Sequence, residues 1–395
     1  MSPVLLLFPI LFPMLAALCL GSRRLASAKA RDAFVLIVAV LNSIVSLLLL
    51  AFPPADGLTL VRLTETLTLR LKLDGMSRIY GAILALLWPV TAVYAFDYMR
   101  HERRLNRFYA FFLASYGVAM GIAFAANLVT MYLFFELLTL ATLPLVMHAG
   151  DDIARAAGKK YLLYSMTGAS LGFIAVVMLA RYGAPGDFTM GGTLLPEAAA
   201  EHAPMLRLAF TLAFFGFGVK AALLPMSLWL PAASVAPTPV TALLHAVAVV
   251  KAGAFACIRL TYFGFGTALL VGTTAQSVVL TAAIVTVALG SFLALRQTHL
   301  KRRLAWSTVS NLSYILLGCA LMTDAGLVAA CQHMLYHAFI KIALFFAVGA
   351  IMEKANCAYL DEIEGLGRRM PITFACFSLA SLALIGIPPL PGFFS

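Results

Sequence analysis

Four charged residues stand deep inside apolar stretches of this 395-residue chain: Glu136, Lys220, Lys251 and Lys341. Each lies near the middle of its stretch, at 127–148, 205–230, 238–262 and 326–352 respectively. A lysine at that depth cannot easily reach either membrane surface, and inserting one costs about 2.5–3.5 kcal/mol. Such a cost is tolerated where the residues face a hydrated or protein-lined interior and interact with one another. They could be structural ions that tie helices together, but one carboxylate cannot neutralise three ammonium groups. At least two lysines must then be neutral or hydrated, and a lysine poised between protonation states in a polar channel is a proton carrier. The other 16 of the 17 acids lie in loops or at segment ends.

Histidines add to this set. His333, His337 and Lys341 are spaced i, i+4, i+8, so a helix stacks them on one face. Imidazole exchanges protons near neutral pH, which suits a relay between lysines. A single histidine would serve equally as a satisfied interior hydrogen-bonding group; a stack that leads to a buried lysine favours the relay. His245 lies six residues before Lys251, off its helical face but near it. In 214–231, FFGFGVKAALLPMSLWLP, two glycines precede Lys220 and Pro225 follows it. A helix broken there exposes carbonyls and amides that can hold water or an ion beside the lysine, whereas an ordinary kink would not need the charge.

The elements that position these residues follow from composition. Hydrophobic residues make up 62% of the chain and charged ones 11%, against roughly 25% charged in a soluble domain. Twelve apolar runs suffice to cross a bilayer: 3–20, 33–52, 76–97, 108–125, 127–148, 161–181, 205–230, 238–262, 268–294, 304–323, 326–352 and 371–395. The first resembles a signal sequence. Pro3, Pro9 and Pro13 interrupt it and no basic stretch precedes it, so it reads as a retained helix. The net charge of +11 is distributed as membrane orientation demands rather than as a nucleic-acid surface. Loops 21–32, 98–107, 149–160, 295–303 and 353–370 hold 4, 4, 3, 4 and 3 basic residues. The opposite side holds seven: Arg62, Arg70, Lys72, Arg78, Arg181, Arg207 and Arg259. The N-terminus is thereby expected outside the cytoplasm.

One segment breaks the helical pattern. From Gly57 to Leu73, leucines at 58, 60, 63, 67, 69, 71 and 73 alternate with threonine and arginine, the signature of a short external β-hairpin. A weak internal repeat aligns Leu163-Tyr164 with Leu335-Tyr336 at an offset of 172, and Phe173, Ala175 and Val176 with Phe345, Ala347 and Val348. About fifty residues beyond each, prolines interrupt a hydrophobic segment: Pro225 with Pro231, then Pro388, Pro389 and Pro391. Paired broken helices point to an inverted-repeat transporter and its ion site. The six cysteines are scattered without CxxC spacing, and no Walker or GxGxxG motif occurs. No cofactor, metal or nucleotide site is expected, and the chain carries no redox centre of its own.

The string GVKAALLPMSLWLPAASVAPTPVTALLHAVAVVKAGAF (218–255) resembles the signature of the proton-conducting antiporter-like family. That family includes the large membrane-arm subunits of respiratory complex I, their counterparts in membrane-bound hydrogenases, and the large subunits of Mrp Na⁺/H⁺ antiporters. YLFFELLTL (132–140), HLKRRLAWSTVSNLSYILLG (299–318), HAFIKIALFFAVGAI (337–351) and GIPPLPGFFS (386–395) fit the same pattern in the same order. The resemblance implies fourteen helices with two inverted five-helix repeats. Glu136 matches the family's fifth-helix glutamate and Lys220 its broken-helix lysine. Lys251 and Lys341 match eighth- and eleventh-helix lysines of some members, and His337 the leading histidine of the eleventh-helix motif. It also implies a mechanism in which pairing of glutamate and lysine holds the proton and separation releases it. The family places another lysine or glutamate and two more helices beyond Ser395, so the sequence is expected to be a fragment.

The expectations are therefore an all-α polytopic membrane protein of about twelve helices, two inverted repeats of which the second is incomplete, and an external hairpin. Three helices with the hairpin occupy 1–107, the first repeat 108–264 and the second 265–395. The expected function is movement of H⁺ (or Na⁺) as a subunit of a redox-driven complex I-like or hydrogenase-linked assembly. An Mrp-type antiporter subunit is the alternative. Other membrane subunits are the expected partners, nucleic acid is not one, and the cell membrane is the expected location.

Overall fold

A computed structural model describes residues 2–22, 27–62, 64 and 67–394. Leu63 of the hairpin, and Arg23 and Arg24 of the first basic loop, lie outside the described residues. The chain is a multi-pass helical membrane protein, with one two-stranded sheet among the described residues. Among the described residues, eight helices are long and apolar enough to cross a membrane. They are α1 (Phe8–Ser22, with the 3₁₀ turn Pro3–Leu7 before it), α2 (Ala28–Ala51), α3 (Gly75–Tyr98), α5 (Leu128–Val146), α6 (Asp152–Tyr182), α8 (Thr238–Phe265), α9 (Thr274–Arg296) and α11 (Asp324–Ala355). The other stretches counted as spans form α4 (Leu105–Ala123), α7 (Ala203–Gly218), α10 (Leu300–Ala320) and α12 (Pro371–Ile385), of which α7 and α12 have only 16 and 15 residues.

Side-chain caps set several helix starts. Asp74 accepts from the Ser77 amide, Asn127 from Thr130, Asp151 from Ala154 and Thr323 from Gly326, each filling one orphan donor of the first turn. The offset of 172 carries the Asp151 cap onto Thr323 and the helix of 31 residues it opens onto one of 32. Both proline-bearing segments are broken. α7 stops at Gly218 and helix resumes only at Trp229–Ala233; α12 stops at Ile385, with Gly386 at φ +85°.

The hairpin forms where the alternation predicts it, β1 (Leu58–Arg62) antiparallel to β2 (Thr68–Leu71), with a bulge between Thr59 and Val61. Backbone bonds from Lys72 to Phe124 and from Ala126 to Arg70, both 2.9 Å, sew it to the α4–α5 connection. Asp187 of the α6–α7 connection bridges to Lys72 (2.9 Å) and Arg70 (3.4 Å).

At the centre stands α8, buried along its whole apolar length. It packs against α3, α4, α5, α7, α10 and α11. Two stretches of it, Leu243–Val247 and Arg259–Phe265, are π-helical. Such turns carry an extra residue, leave carbonyls free for side chains and gather at functional sites. Tyr80 of α3 donates to the Ala248 carbonyl (2.9 Å) just beyond the first of them.

Candidate functional site

Lys220 is the second residue of the break. Its amide still bonds back to Phe217 (3.2 Å), but Ala222 at φ +57° turns the chain out of helix. Three bonds then fix the unwound strand. The Leu223 amide returns to Gly218 (2.9 Å), the Trp229 indole donates to the Val219 carbonyl (2.7 Å), and the Leu224 amide donates to Thr286 Oγ1 of α9 (3.2 Å). The break sits hard against α8. A Cβ on Gly253 would lie 2.7 Å from the Lys220 carbonyl carbon and 3.0 Å from its Cβ, so only glycine allows this approach.

The Lys220 side chain, 1% exposed, donates to the Phe135 carbonyl of α5, with its ammonium 3.5 Å from the centre of the Phe135 ring. Glu136 is the next residue along α5. It is half-buried and forms no ion pair with Lys220, and its Oε1 is buried without a hydrogen-bond partner. The lysine is held by the carbonyl of the residue before the glutamate, not by the carboxylate.

Lys251 and His337 are brought together from α8 and α11. The lysine ammonium and His337 Nδ1 share a hydrogen bond, and both residues are sealed from solvent. The rings of His333 and His337 stack with centroids 5.8 Å apart. Lys341 turns away from that stack to α10, donating to Ser307 Oγ (2.7 Å) and the Leu304 carbonyl (3.4 Å). His245, inside the first π-turn of α8, reaches α11 as well, with its ring 5.0 Å from Phe345. Both of its ring nitrogens are buried without a protein partner. A proton can cross an N–H···N contact such as Lys251–His337 with little movement of the heavy atoms. The histidines and lysines therefore form a polar strip through the middle of the bundle.

Two buried cations escape a reading of the sequence. Lys301 falls in the basic loop 295–303, yet α10 begins at Leu300 and leaves Lys301 only 5% exposed. Its sequence neighbours Arg302 and Arg303 hide it in a run of charge. Arg259, counted on the opposite side, is fully buried and grips Asp74 through two bonds of 2.5 and 2.7 Å. Phe188, Phe255 and Phe263 face its guanidinium at 4.9–5.1 Å. Burial alone would raise the Asp74 carboxyl, but the bonds and charge of Arg259, with the Ser77 amide, hold it below its usual range. The one sequence signal is an aspartate directly before an apolar run.

A family model described as NADH:quinone oxidoreductase/Mrp antiporter, TM matches residues 125–395. The chain is 33% identical over 349 residues to NADH-quinone oxidoreductase subunit N of Desulforudis audaxviator, covering 87% of this chain and 66% of that one. It is 32% identical over 331 residues to a protein of Rhizobium meliloti named as a probable K⁺/H⁺ antiporter subunit, covering 83% of this chain and 32% of that one. The chain thus spans 32% and 66% of these relatives' lengths. The fold matches a chain of the membrane-bound sulfane sulfur reductase, an archaeal respiratory membrane complex. That match has a TM-score of 0.88 at 22% identity and covers all of this chain and 80% of the other.

Proposed function

This chain belongs to the NADH:quinone oxidoreductase/Mrp antiporter transmembrane family, and from that premise we propose that it moves protons across a cell membrane as one subunit of a redox-driven, complex I-like or hydrogenase-linked assembly. The observation that carries the reading is the set of mid-membrane lysines held by carbonyls, a hydroxyl and an imidazole rather than by carboxylates. Carbonyls accept hydrogen bonds from an ammonium and from a neutral amine alike, so each lysine can lose its proton without losing its place. Glu136, beside the carbonyl that holds Lys220, is positioned to bias that lysine when it swings across. Lys251, His337, His333 and His245 form the onward strip, and Lys341 its branch toward α10. The repeats assigned to 108–264 and 265–395 meet along this strip, at the bond between Lys251 and His337.

The test uses sealed vesicles that contain the whole complex. Glu136→Gln and Lys220→Ala are each expected to abolish vesicle acidification while the complex assembles normally. Acidification at the wild-type rate in a well-assembled Lys220→Ala complex would end the reading. An Mrp-type antiporter subunit remains the second reading, because one relative carries an antiporter name. Transport that follows a cation gradient, with no redox substrate present, would favour it.

A further inference from the structure

Lys301 has no role in the route described above, yet it is the most expensive residue of the basic face to explain. Its side chain is almost completely buried, and its ammonium donates to the Ala236 carbonyl (2.6 Å) in the connection between the broken helix and α8. Among the described residues no carboxylate pairs with it. A lysine wanted only to anchor a loop would be placed at the surface, where its charge stays hydrated; a buried ammonium without a counter-charge is costly. The Ala236 carbonyl already accepts from Thr241 Oγ1 (2.9 Å), so the connection is tied without the lysine.

Its position gives the cost a purpose. Lys301 stands in the first turn of α10, at the end of the bundle where the basic loops gather. The helix that carries it, α10, packs against the π-turn of α8 that holds His245, and His299 and Arg302 flank it in sequence. Further along α10 lie the Leu304 carbonyl and Ser307, the two acceptors of Lys341. Lys301 therefore sits between the basic face and the strip, on a helix packed against the π-turn of His245 and two residues beyond the half-buried His299.

We infer that Lys301 is a further proton-carrying residue, the inner gate through which the second half of the chain loads the strip at His245. The inference rests on the transport reading. The carrier role needs a side chain that binds and releases a proton; an anchor needs only a donor for the Ala236 carbonyl.

Two variants of the full complex in sealed vesicles separate these roles. Lys301→Gln keeps a neutral donor and cannot carry a proton. Lys301→His keeps a titratable nitrogen of lower proton affinity. The carrier role predicts that Gln lowers transport by about tenfold or more with normal assembly, the low end of what a positioned acid–base group contributes. It predicts that His restores a large part of the rate and moves the transport optimum to lower pH. Three outcomes would overturn the inference: wild-type transport in the Gln variant, equal impairment of both variants in assembled complexes, or failure of both to assemble. Wild-type vesicles and Lys220→Ala run alongside. If wild type and Lys220→Ala acidify equally, the transport reading itself has failed, whatever Lys301 does.

Discussion

Arg259 and Lys251 stand eight residues apart on α8, and both are sealed from solvent. They are satisfied in opposite ways. Arg259 meets a carboxylate head-on in a two-bond fork, with aromatic rings around the guanidinium. Lys251 meets an imidazole, a group that can itself take or give a proton. A guanidinium does not deprotonate in a protein, so its pair with Asp74 is a fixed clamp between α3 and α8. A lysine that shares a hydrogen bond with a histidine has no fixed charge state. Matched charges should thus carry stability, and unmatched ones transport.

The largest expected effect tests the unmatched side. Lys220→Met should abolish transport, a loss of about 100-fold or more for a positioned acid–base group. It should leave thermal stability unchanged or improved, because replacing a buried charge with an apolar side chain is often neutral or stabilising. Lys220→Arg should fail too, since arginine cannot release the proton. A clear drop in melting temperature for Lys220→Met with transport retained would erase the distinction.

Asp74→Ala tests the matched side. It strands a buried guanidinium, and removing one partner of a buried pair costs about 3 kcal/mol or more. The assembled fraction should still transport. The sign with pH follows from the carboxyl being held below its usual range in the folded chain. Its stabilisation is present above the unfolded aspartate value and is lost as pH falls through the folded one. Thermal unfolding in detergent should therefore show wild type losing stability on acidification below about pH 4, over a range where Asp74→Ala responds less. Equal slopes for the two proteins would assign the acid sensitivity to other groups.

His337→Gln sits between these cases. It keeps a hydrogen-bonding group for Lys251 and removes the ring that can be charged. Loss of transport by about tenfold with near-normal assembly is expected if the imidazole relays. Lys341→Met should act likewise, because it deletes an ammonium held only by a hydroxyl and a carbonyl. Wild-type rates in both variants would leave α11 as packing.

Unmatched charges are easier to find in the sequence than matched ones. A lysine in the middle of an apolar run is conspicuous, so Lys220, Lys251 and Lys341 stand out. The alternation of Gly57–Leu73 and the glycine–proline punctuation around Lys220 carry the hairpin and the break, because both are local signals. Arg259 lies near the end of its run and reads as interfacial, while its partner Asp74 is 185 residues away in sequence. Lys301 is masked by the two arginines that follow it. Spacing alone predicts a His333–His337–Lys341 stack, and the two rings do stack. The ammonium groups choose partners on other helices, Lys251 at His337 and Lys341 at Ser307, which an i, i+4 rule cannot foresee. The π-turn that holds His245 also leaves no periodic trace in so uniformly apolar a helix.

The smallest effect asks whether the distinction extends to neutral groups at the break. Thr286 on α9 accepts from the Leu224 amide (3.2 Å) and passes its own hydrogen to the Ala282 carbonyl (2.6 Å). It is fully buried, and removing its hydroxyl leaves the amide facing an apolar side chain. Thr286→Val keeps the shape and strands one donor, which should cost about 1–2 kcal/mol. As a matched and untitratable tie, Thr286 should act on stability as Asp74 does, lowering the melting temperature while assembled complexes transport within about twofold of wild type, the change expected when no proton-carrying group is touched. A tenfold loss of transport at unchanged stability would mean that the tie sets where Lys220 points. The break would then be part of the moving machinery rather than its mount.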